Sequence, residues 1–340
     1  MGRIESLCVS EKKGQRKTQV GSALFITDHG IDGDAHAGTW HRQVTLLAAE
    51  DIESVKRKGL KNLSPGDFAE NIVLSGVNLA GLGLGSVLRI GNGVELSVTQ
   101  IGKVCNTPCA IFHLTGDCIM PRLGLFARVL RGGTVASGGR VEVTRCVSRD
   151  AYQTVLLTVS DRCSRGELQD TAGPAVASLL ERYLNVHVYT NEIIPDDLET
   201  IVNRLKHYSD GHSIDLVVAV GGTGFAPRDV TPEAVSEVVE RFTPGLDEAM
   251  RLASMSVTPR AMLSRAVSGI RASTLIVSVP GSERSATENL EAILPALEHG
   301  LTKLRGDPSD CGREGGSAST WMNENSNAPH KIVSLEGRQG

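Results

Sequence analysis

Apolar and polar positions follow two different rhythms along this 340-residue chain. From residue 1 to about 147, short strand-like runs alternate with glycine-rich turns. Gln43–Leu47, Asn71–Leu74, Ser86–Ile90, Val94–Gln100 and Arg140–Thr144 are examples, and Ala49–Lys58 reads as a helix among them. Many short strands with few helices predict a closed or sandwiched, mainly β domain. The polar stretch 148–153 reads as a linker. Beyond it, Thr154–Val159 is a continuous β-rich apolar run, the pattern of a strand buried on both faces. Val186–Ile194, Ile214–Val220 and Thr274–Val279 follow as further strands. Between and after them, helices are predicted from Pro174 to Tyr183, from the cap Asp196-Asp197-Leu198-Glu199 to about Tyr208, and over Pro232–Arg241, Leu246–Ser256 and Ser285–Lys303. This alternation predicts a three-layer α/β domain with a largely parallel sheet over residues 154–305. Residues 306–340 are rich in Gly, Ser and Asn without periodicity, the composition of a disordered tail.

Composition removes some classes of function. The net charge is -4, from 35 basic and 39 acidic residues that are well interspersed, which argues against a nucleic-acid or membrane-surface protein. An aromatic fraction of 4% also disfavours stacking along single strands. No apolar run reaches the roughly 18–20 residues that span a bilayer, and the N-terminus lacks a signal-peptide core, so a cytoplasmic location is expected. The cysteines number seven, an odd count that suggests free thiols in a reducing compartment.

The chemistry-bearing residues of the second half fall in loops that follow strands, where open α/β sheets bind ligands. One loop is Ser160-Asp161 to Gly166, continuing to Asp170 and Gly173. Another runs from Gly221-Gly222-Thr223-Gly224 through Arg228 and Asp229 to Thr231 and Glu233. The last is Pro280-Gly281-Ser282. Glycines after a buried strand let backbone N–H groups approach an anion. Thr231 can cap the helix that starts at Pro232, with its positive dipole end nearby. Arg228 supplies a fixed charge for phosphate, and Asp229 is a candidate Mg²⁺ ligand beside it. Each also has an ordinary reading: Asp196 and Asp161 as helix caps, Asp170 as a turn residue, Ser264 as structural. No Walker A sequence is present.

Gly221–Ala234, reading GGTGFAPRDVTPEA, resembles the signature of the MoaB/Mog family of molybdenum-cofactor proteins. The resemblance extends through TVSDRCSRGELQDTAGP at 158–174, IIPDD at 193–197, TPGL at 243–246 and TPRAMLSRAVSGIRASTLIVSVPGS at 258–282. It covers residues 154–305 and is strongest to the molybdopterin adenylyltransferase branch. It implies transfer of AMP from ATP to molybdopterin with release of pyrophosphate, using Mg²⁺ and no pyridoxal phosphate. By motif position Asp229 matches the catalytic aspartate and Asp196 a second functional one, with Asp161 a further candidate. Ser160, Gly221, Gly222, Thr223, Gly224, Arg228, Thr231, Ser264, Arg265, Pro280 and Gly281 would line the pocket. The family usually has a second Pro after the Pro-Gly; here Glu283 stands in that place. A homotrimer built through this domain is also implied.

In the first half, Cys105, Cys109, His113 and Cys118 follow the spacing C-x₃-C-x₃-H-x₄-C, which is not a standard zinc finger. The thiols are either reactive on a loop or small buried hydrophobes. The segment resembles the MOSC domain, a sulfur-carrier module, over residues 3–145 and with a β-barrel fold implied. Supporting stretches are GIDGDAHAGTWHRQVTLLAAEDI at 30–52, PGDFAENIVLSG at 65–76 and GSVLRIG at 85–91. Cys109 best matches the functional cysteine, with Cys105 its rival. His36, His41, Arg42, Glu70 and Asn71 fall in the motif stretches, Arg42 and Asn71 as readers of a cofactor phosphate. The resemblance allows molybdenum cofactor at this domain, and molybdenum-insertion or molybdoenzyme partners. Two other functions compete with the transferase: a non-catalytic molybdopterin-binding scaffold, and a sulfur carrier acting through Cys109.

Overall fold

In the computed structural model, which describes residues 2–57, 63–103, 112 and 118–308, the two rhythms become a barrel and a layered α/β sheet. The first half contains β1 (Gly2–Val9), β2 (Thr18–Val20), β3 (Ser22–Ile26), β4 (Gly30–Ile31), β5 (Val44–Ala48), β6 (Ile72–Ser75), β7 (Val87–Ile90), β8 (Val94–Ile101), β9 (Leu125–Arg131), β10 (Gly133–Ala136) and β11 (Arg140–Arg145). Strands pair in the order β11-β7-β8-β9-β5-β6-β1, and Gly2 and Arg3 of β1 pair back onto β11, closing seven strands. β2 adds to the other end of β1, while β10, β3 and β4 form a separate small sheet. Closure removes the exposed edges of the main sheet. Ile4, Leu46, Leu74, Leu88, Leu96 and Leu125 fill the interior at 0% exposure. Among the described residues the α-helices of this half are α1 (Ala49–Arg57) and α2 (Met120–Leu123).

The second half contains β12 (Tyr152–Val159), β13 (Val186–Ile194), β14 (Leu216–Val220), β15 (Arg241–Phe242), β16 (Ser268–Arg271) and β17 (Thr274–Val279). Their order is β13-β12-β14-β17-β16-β15. The first four are parallel, and β16 and β15 run antiparallel at one edge. Helices α3 (Asp161–Ser164), α4 (Ala172–Tyr183), α5 (Leu198–Gly211), α6 (Thr231–Val238), α7 (Pro244–Met255) and α8 (Glu283–Leu304) surround it. Alternation along β12 sets the layers. Leu156 packs in a cluster with Leu180 of α4 and Leu290 of α8. Val155 and Leu157 join Ile201 and Leu205 of α5 and Val235 of α6.

Residues 148–153 are not a free linker. Arg149 N–H donates to the Gly81 carbonyl, and β12 already begins at Tyr152. Arg305, just past α8, donates to the carbonyls of Asp150 and Ala151 and lies 4.6 Å over the Tyr152 ring. The stretch is polar because its groups are paired with the protein. The two halves accordingly form one unit spanning Met1–Arg305. The helix expected over Pro232–Arg241 stops at Val238, since Arg241 and Phe242 pair with β16 instead. The expected tail from residue 309 onward lies outside the described residues. Among the described residues no helix is long and apolar enough to cross a membrane.

Candidate functional site

A cleft of about 780 Å³ opens where the four parallel strands end. β12 delivers Ser160 and Asp161, β13 delivers Asp196, β14 delivers Gly221 and Gly222, and β17 leads to Gly281. Arg228 and Asp229 complete the wall. A tight strand-to-helix crossing forms its floor. Gly221 and Gly222 have φ of +112° and +63°. A Cβ on Gly221 would meet the Val159 carbonyl at 2.4 Å, and one on Gly222 would meet Thr231 Oγ1 at 2.4 Å. Only glycine fits both places.

The carboxylates converge here. Asp161 N–H donates to Asp196 Oδ2 at 2.7 Å, and Asp196 N–H donates to Asp161 Oδ1 at 3.2 Å. Asp161 also pairs with the Arg228 guanidinium. Asp229 Oδ2 accepts the Ala226 N–H at 2.8 Å, folding the glycine loop around its own carboxylate. Burial, with the negative charges of Asp161 and Asp229 adding to it, raises the Asp196 carboxyl above its ordinary range. Asp197, not Asp196, caps α5: its Oδ2 accepts the Thr200 N–H at 2.9 Å. Asp196 therefore faces the cleft with its carboxylate unused by the helix. Ser160 caps the short α3, accepting from Cys163 N–H at 3.2 Å.

Other expected residues lie elsewhere. Thr223, Gly224, Ser264 and Pro280 line an adjoining cavity of about 250 Å³. Arg265 acts on the loop from behind. It donates from Nε to the Gly224 carbonyl at 2.8 Å and from Nη2 to the Asp229 carbonyl, and it pairs with Glu233. Thr231 is not the cap expected. It starts α6 itself, fully buried, with Val230 at the cap position and no hydrogen bond at its Oγ1. The close packing of Gly222 on that hydroxyl explains why it cannot turn outward.

Arg162, Gln169 and Asp170 also line the cleft; their loop was singled out in the sequence, with Asp170 as a turn residue, but none of the three was given a site role. Asp170 Oδ1 accepts the Gly173 N–H at 3.0 Å and Oδ2 accepts the Thr158 hydroxyl at 2.8 Å, so the turn reading understated it. Its place within the motif stretch 158–174 was the available signal.

In the barrel, Asn71 is fully buried. Its Oδ1 accepts Thr45 N–H at 3.0 Å and its Nδ2 donates to the Cys8 carbonyl at 3.1 Å, so it stitches strands and does not read a phosphate. Glu70, also fully buried, accepts the N–H groups of Gly66 and Phe68, and burial pushes its carboxyl up to about 7. His36 Nδ1 stands 3.2 Å from the buried Lys17 ammonium, itself paired with Asp34 at 2.5 Å. Arg42 lies over the Trp40 and Phe126 rings, and His41 reaches the Gly211 carbonyl of the second half at 3.1 Å. Cys105, Cys109 and His113 lie outside the described residues. Among the described residues no group of three or more His, Cys, Asp or Glu side chains is arranged to hold a metal unaided.

Comparison with known proteins agrees with this layout. Residues 155–299 match the family described as "Probable molybdopterin binding domain", and residues 33–142 match the MOSC domain. The molybdopterin adenylyltransferase of Helicobacter pylori (strain J99) is 40% identical over 153 residues, covering 45% of this chain and 87% of that protein. The Escherichia coli (strain K12) molybdopterin adenylyltransferase is 40% identical over 151 residues, covering 43% and 77%. Gephyrin of Dictyostelium discoideum is 38% identical over 162 residues; the match covers 45% of this chain and only 22% of that larger protein.

Proposed function

Because the chain belongs to the MoaB/Mog family of molybdopterin-binding proteins through its C-terminal domain, with a MOSC domain fused in front of it, we propose that its C-terminal cleft transfers AMP from ATP to molybdopterin. The observation that carries this reading is the convergence of Asp161, Asp196, Asp229 and Arg228 on a glycine loop at the ends of parallel strands. In the reaction, a terminal phosphate oxygen of molybdopterin attacks the α-phosphorus of ATP, and the bond to the bridging oxygen breaks to release pyrophosphate. Such in-line transfer depends on positioning and on neutralising charge. The backbone turn at Gly222 brings an N–H group close to phosphate oxygens, while the Gly221 N–H is held by the Val279 carbonyl. Arg228 moves its charge from Asp161 to the incoming phosphates, and Arg265 holds the Asp229 segment in place.

The residues present fit Mg²⁺. Three acidic side chains repel one another around a raised Asp196 carboxyl, and a divalent cation bound with substrate oxygens would offset that repulsion. Asp229 would hold it, with Asp196 and Asp161 nearest. When bound, the ion would supply charge neutralisation at the α-phosphate of the adenylyl group being transferred and at the departing pyrophosphate.

A homotrimer built on the C-terminal domain belongs to this proposal. Phe225, Leu252, Met262 and Leu263 are exposed by 49–68%, more apolar surface than a solitary domain needs there.

The test is chromatographic: purified chain, molybdopterin, ATP and Mg²⁺, followed for adenylylated molybdopterin, with Asp229→Asn and Cys109→Ala in parallel. Product from wild type and Cys109→Ala but not from Asp229→Asn supports the transferase. Tight molybdopterin binding without product promotes the scaffold or sulfur-carrier reading.

A further inference from the structure

A second cleft, of about 700 Å³, lies where the barrel meets the α/β domain, and both halves line it. The barrel contributes Trp40, His41, Thr99, Arg128 and Arg145; the α/β domain contributes Tyr189, His207, Tyr208 and His212. Ring-bearing residues are concentrated here. The chain has only 2 Trp and 4 Tyr, of which Trp40, Tyr189 and Tyr208 line this cleft, and three of its 9 His do too.

The histidine wall is organised and neutral. His212 Nδ1 lies 3.1 Å from the Thr99 carbonyl, so it carries the proton and donates across the domain boundary. Its Nε2 is then a lone pair, 3.0 Å from His207 Nε2, which must donate. The His41 ring packs 4.2 Å from that of His212. Burial holds all three below the ordinary imidazole range, so none brings positive charge at neutral pH. The charge comes from arginine. Arg128 is matched by Asp28 at 2.6 Å, whereas Arg145 forms no ion pair among the described residues. Behind Gly85, another lining residue, His187 Nε2 is buried without a hydrogen-bond partner; a Cβ on Gly85 would come 3.2 Å from it.

The geometry points to a second binding site in this interdomain cleft, for a planar heterocycle carrying a phosphate: the aromatic and imidazole rings face the heterocycle, and Arg145 takes the phosphate. Neither half forms this site alone. The site lies at the opposite end of α5 from the first cleft. That helix begins beside Asp196 and ends at Gly211, and its 14 residues span about 21 Å. The two clefts are therefore separate in space, and their occupancies can be tested separately.

Trp40 provides the readout. The only other indole is Trp321, so Trp321→Phe leaves Trp40 as the sole tryptophan signal in the full chain. In that background, Trp40 emission is titrated with AMP in one arm and with molybdopterin in the other; the arm that saturates identifies the source of the heterocycle. The expected result is a saturable change in at least one arm, weakened at least tenfold by Arg145→Ala and further by Arg145→Glu. Asp229→Asn, which should abolish AMP transfer, leaves that change intact. The proposal is overturned if neither arm alters Trp40 emission, or if the response survives Arg145→Glu and is lost with Asp229→Asn. Arg145 is exposed, and an unchanged melting temperature confirms that its variants are folded. Because transfer is assayed separately, the absence of transferase activity and the absence of a second site give different results.

Discussion

Asp196 and Asp161 each accept the other's backbone N–H, at 2.7 Å and 3.2 Å, and so tie the end of β13 to the end of β12. The reciprocal pair holds both carboxylates at the cleft, at an electrostatic cost borne mainly by Asp196. Its carboxyl is raised by burial first and by Asp161 and Asp229 next. Asn at this position keeps an oxygen for the Asp161 N–H but removes the charge. Asp196→Asn should therefore melt at a higher temperature than wild type at pH 7, while AMP transfer falls by roughly 100-fold. The sign follows from linkage: a carboxyl raised in the fold weakens stability wherever it is ionised. A variant that is both less stable and fully active would remove Asp196 from the site.

Gly222→Ala tests the floor of the cleft. At φ +63° an added Cβ meets Thr231 Oγ1 at 2.4 Å, and Thr231 is fully buried and cannot retreat. The left-handed conformation alone costs about 1–2 kcal/mol for a residue with a Cβ. Urea unfolding should show at least that loss, with AMP transfer reduced further. Adding Thr231→Ala should recover the steric part and leave the conformational part. If the double variant is no better than the single, the clash is not the cause.

The parallel strands and the glycine loop were legible because a strand buried on both faces is apolar throughout, and Thr154–Val159 and Ile214–Val220 are such runs. β1 escaped notice because Arg3 and Glu5 interrupt it as outward residues on a short alternating strand. The roles of Asp196 and Asp197 could not be separated in sequence, since adjacent aspartates before a helix are chemically equivalent until the backbone chooses one as cap. Thr231 was misread as a cap because its hydroxyl suits that position, whereas the backbone starts the helix one residue earlier, with Val230 at the cap. Asn71 looked available for a ligand because sequence gives no account of which backbone groups in a barrel need a partner. The interdomain cleft had no local signal at all: Arg145, Tyr189 and His212 become neighbours only through docking of the two halves.

Arg265 should behave as a positioning residue. Its guanidinium spans the carbonyls of Gly224 and Asp229 and the carboxylate of Glu233, a pattern that a lysine's single ammonium cannot reproduce. Arg265→Lys is expected to lower kcat by about 10–100-fold with little change in the KM for ATP. A rise in KM at constant kcat would instead make Arg265 a direct ligand of the nucleotide.

Acid should loosen the boundary between the two halves. Burial, reinforced by His41, His207 and Arg42 nearby, brings the His212 imidazole down to about 3. In the unfolded chain it titrates near 6.5, so the folded state binds fewer protons between these values. Its contribution to stability is complete above about pH 6.5 and is lost as pH falls toward 3. The slope per proton is about 1.4 kcal/mol for each pH unit. Protonation would also set a second N–H of His212 against the N–H that His207 now offers it. Glutamine can donate to the Thr99 carbonyl and accept from His207 without titrating. Urea unfolding at pH 7, 6 and 5 should therefore show wild type losing about 2 kcal/mol more than His212→Gln between pH 7 and 5. The residual slope in the variant is assigned to His41 and His207, both also lowered by burial. Equal slopes in the two proteins would mean that His212 is protonated in the fold, contrary to the hydrogen-bond chain from Thr99 through His212 to His207.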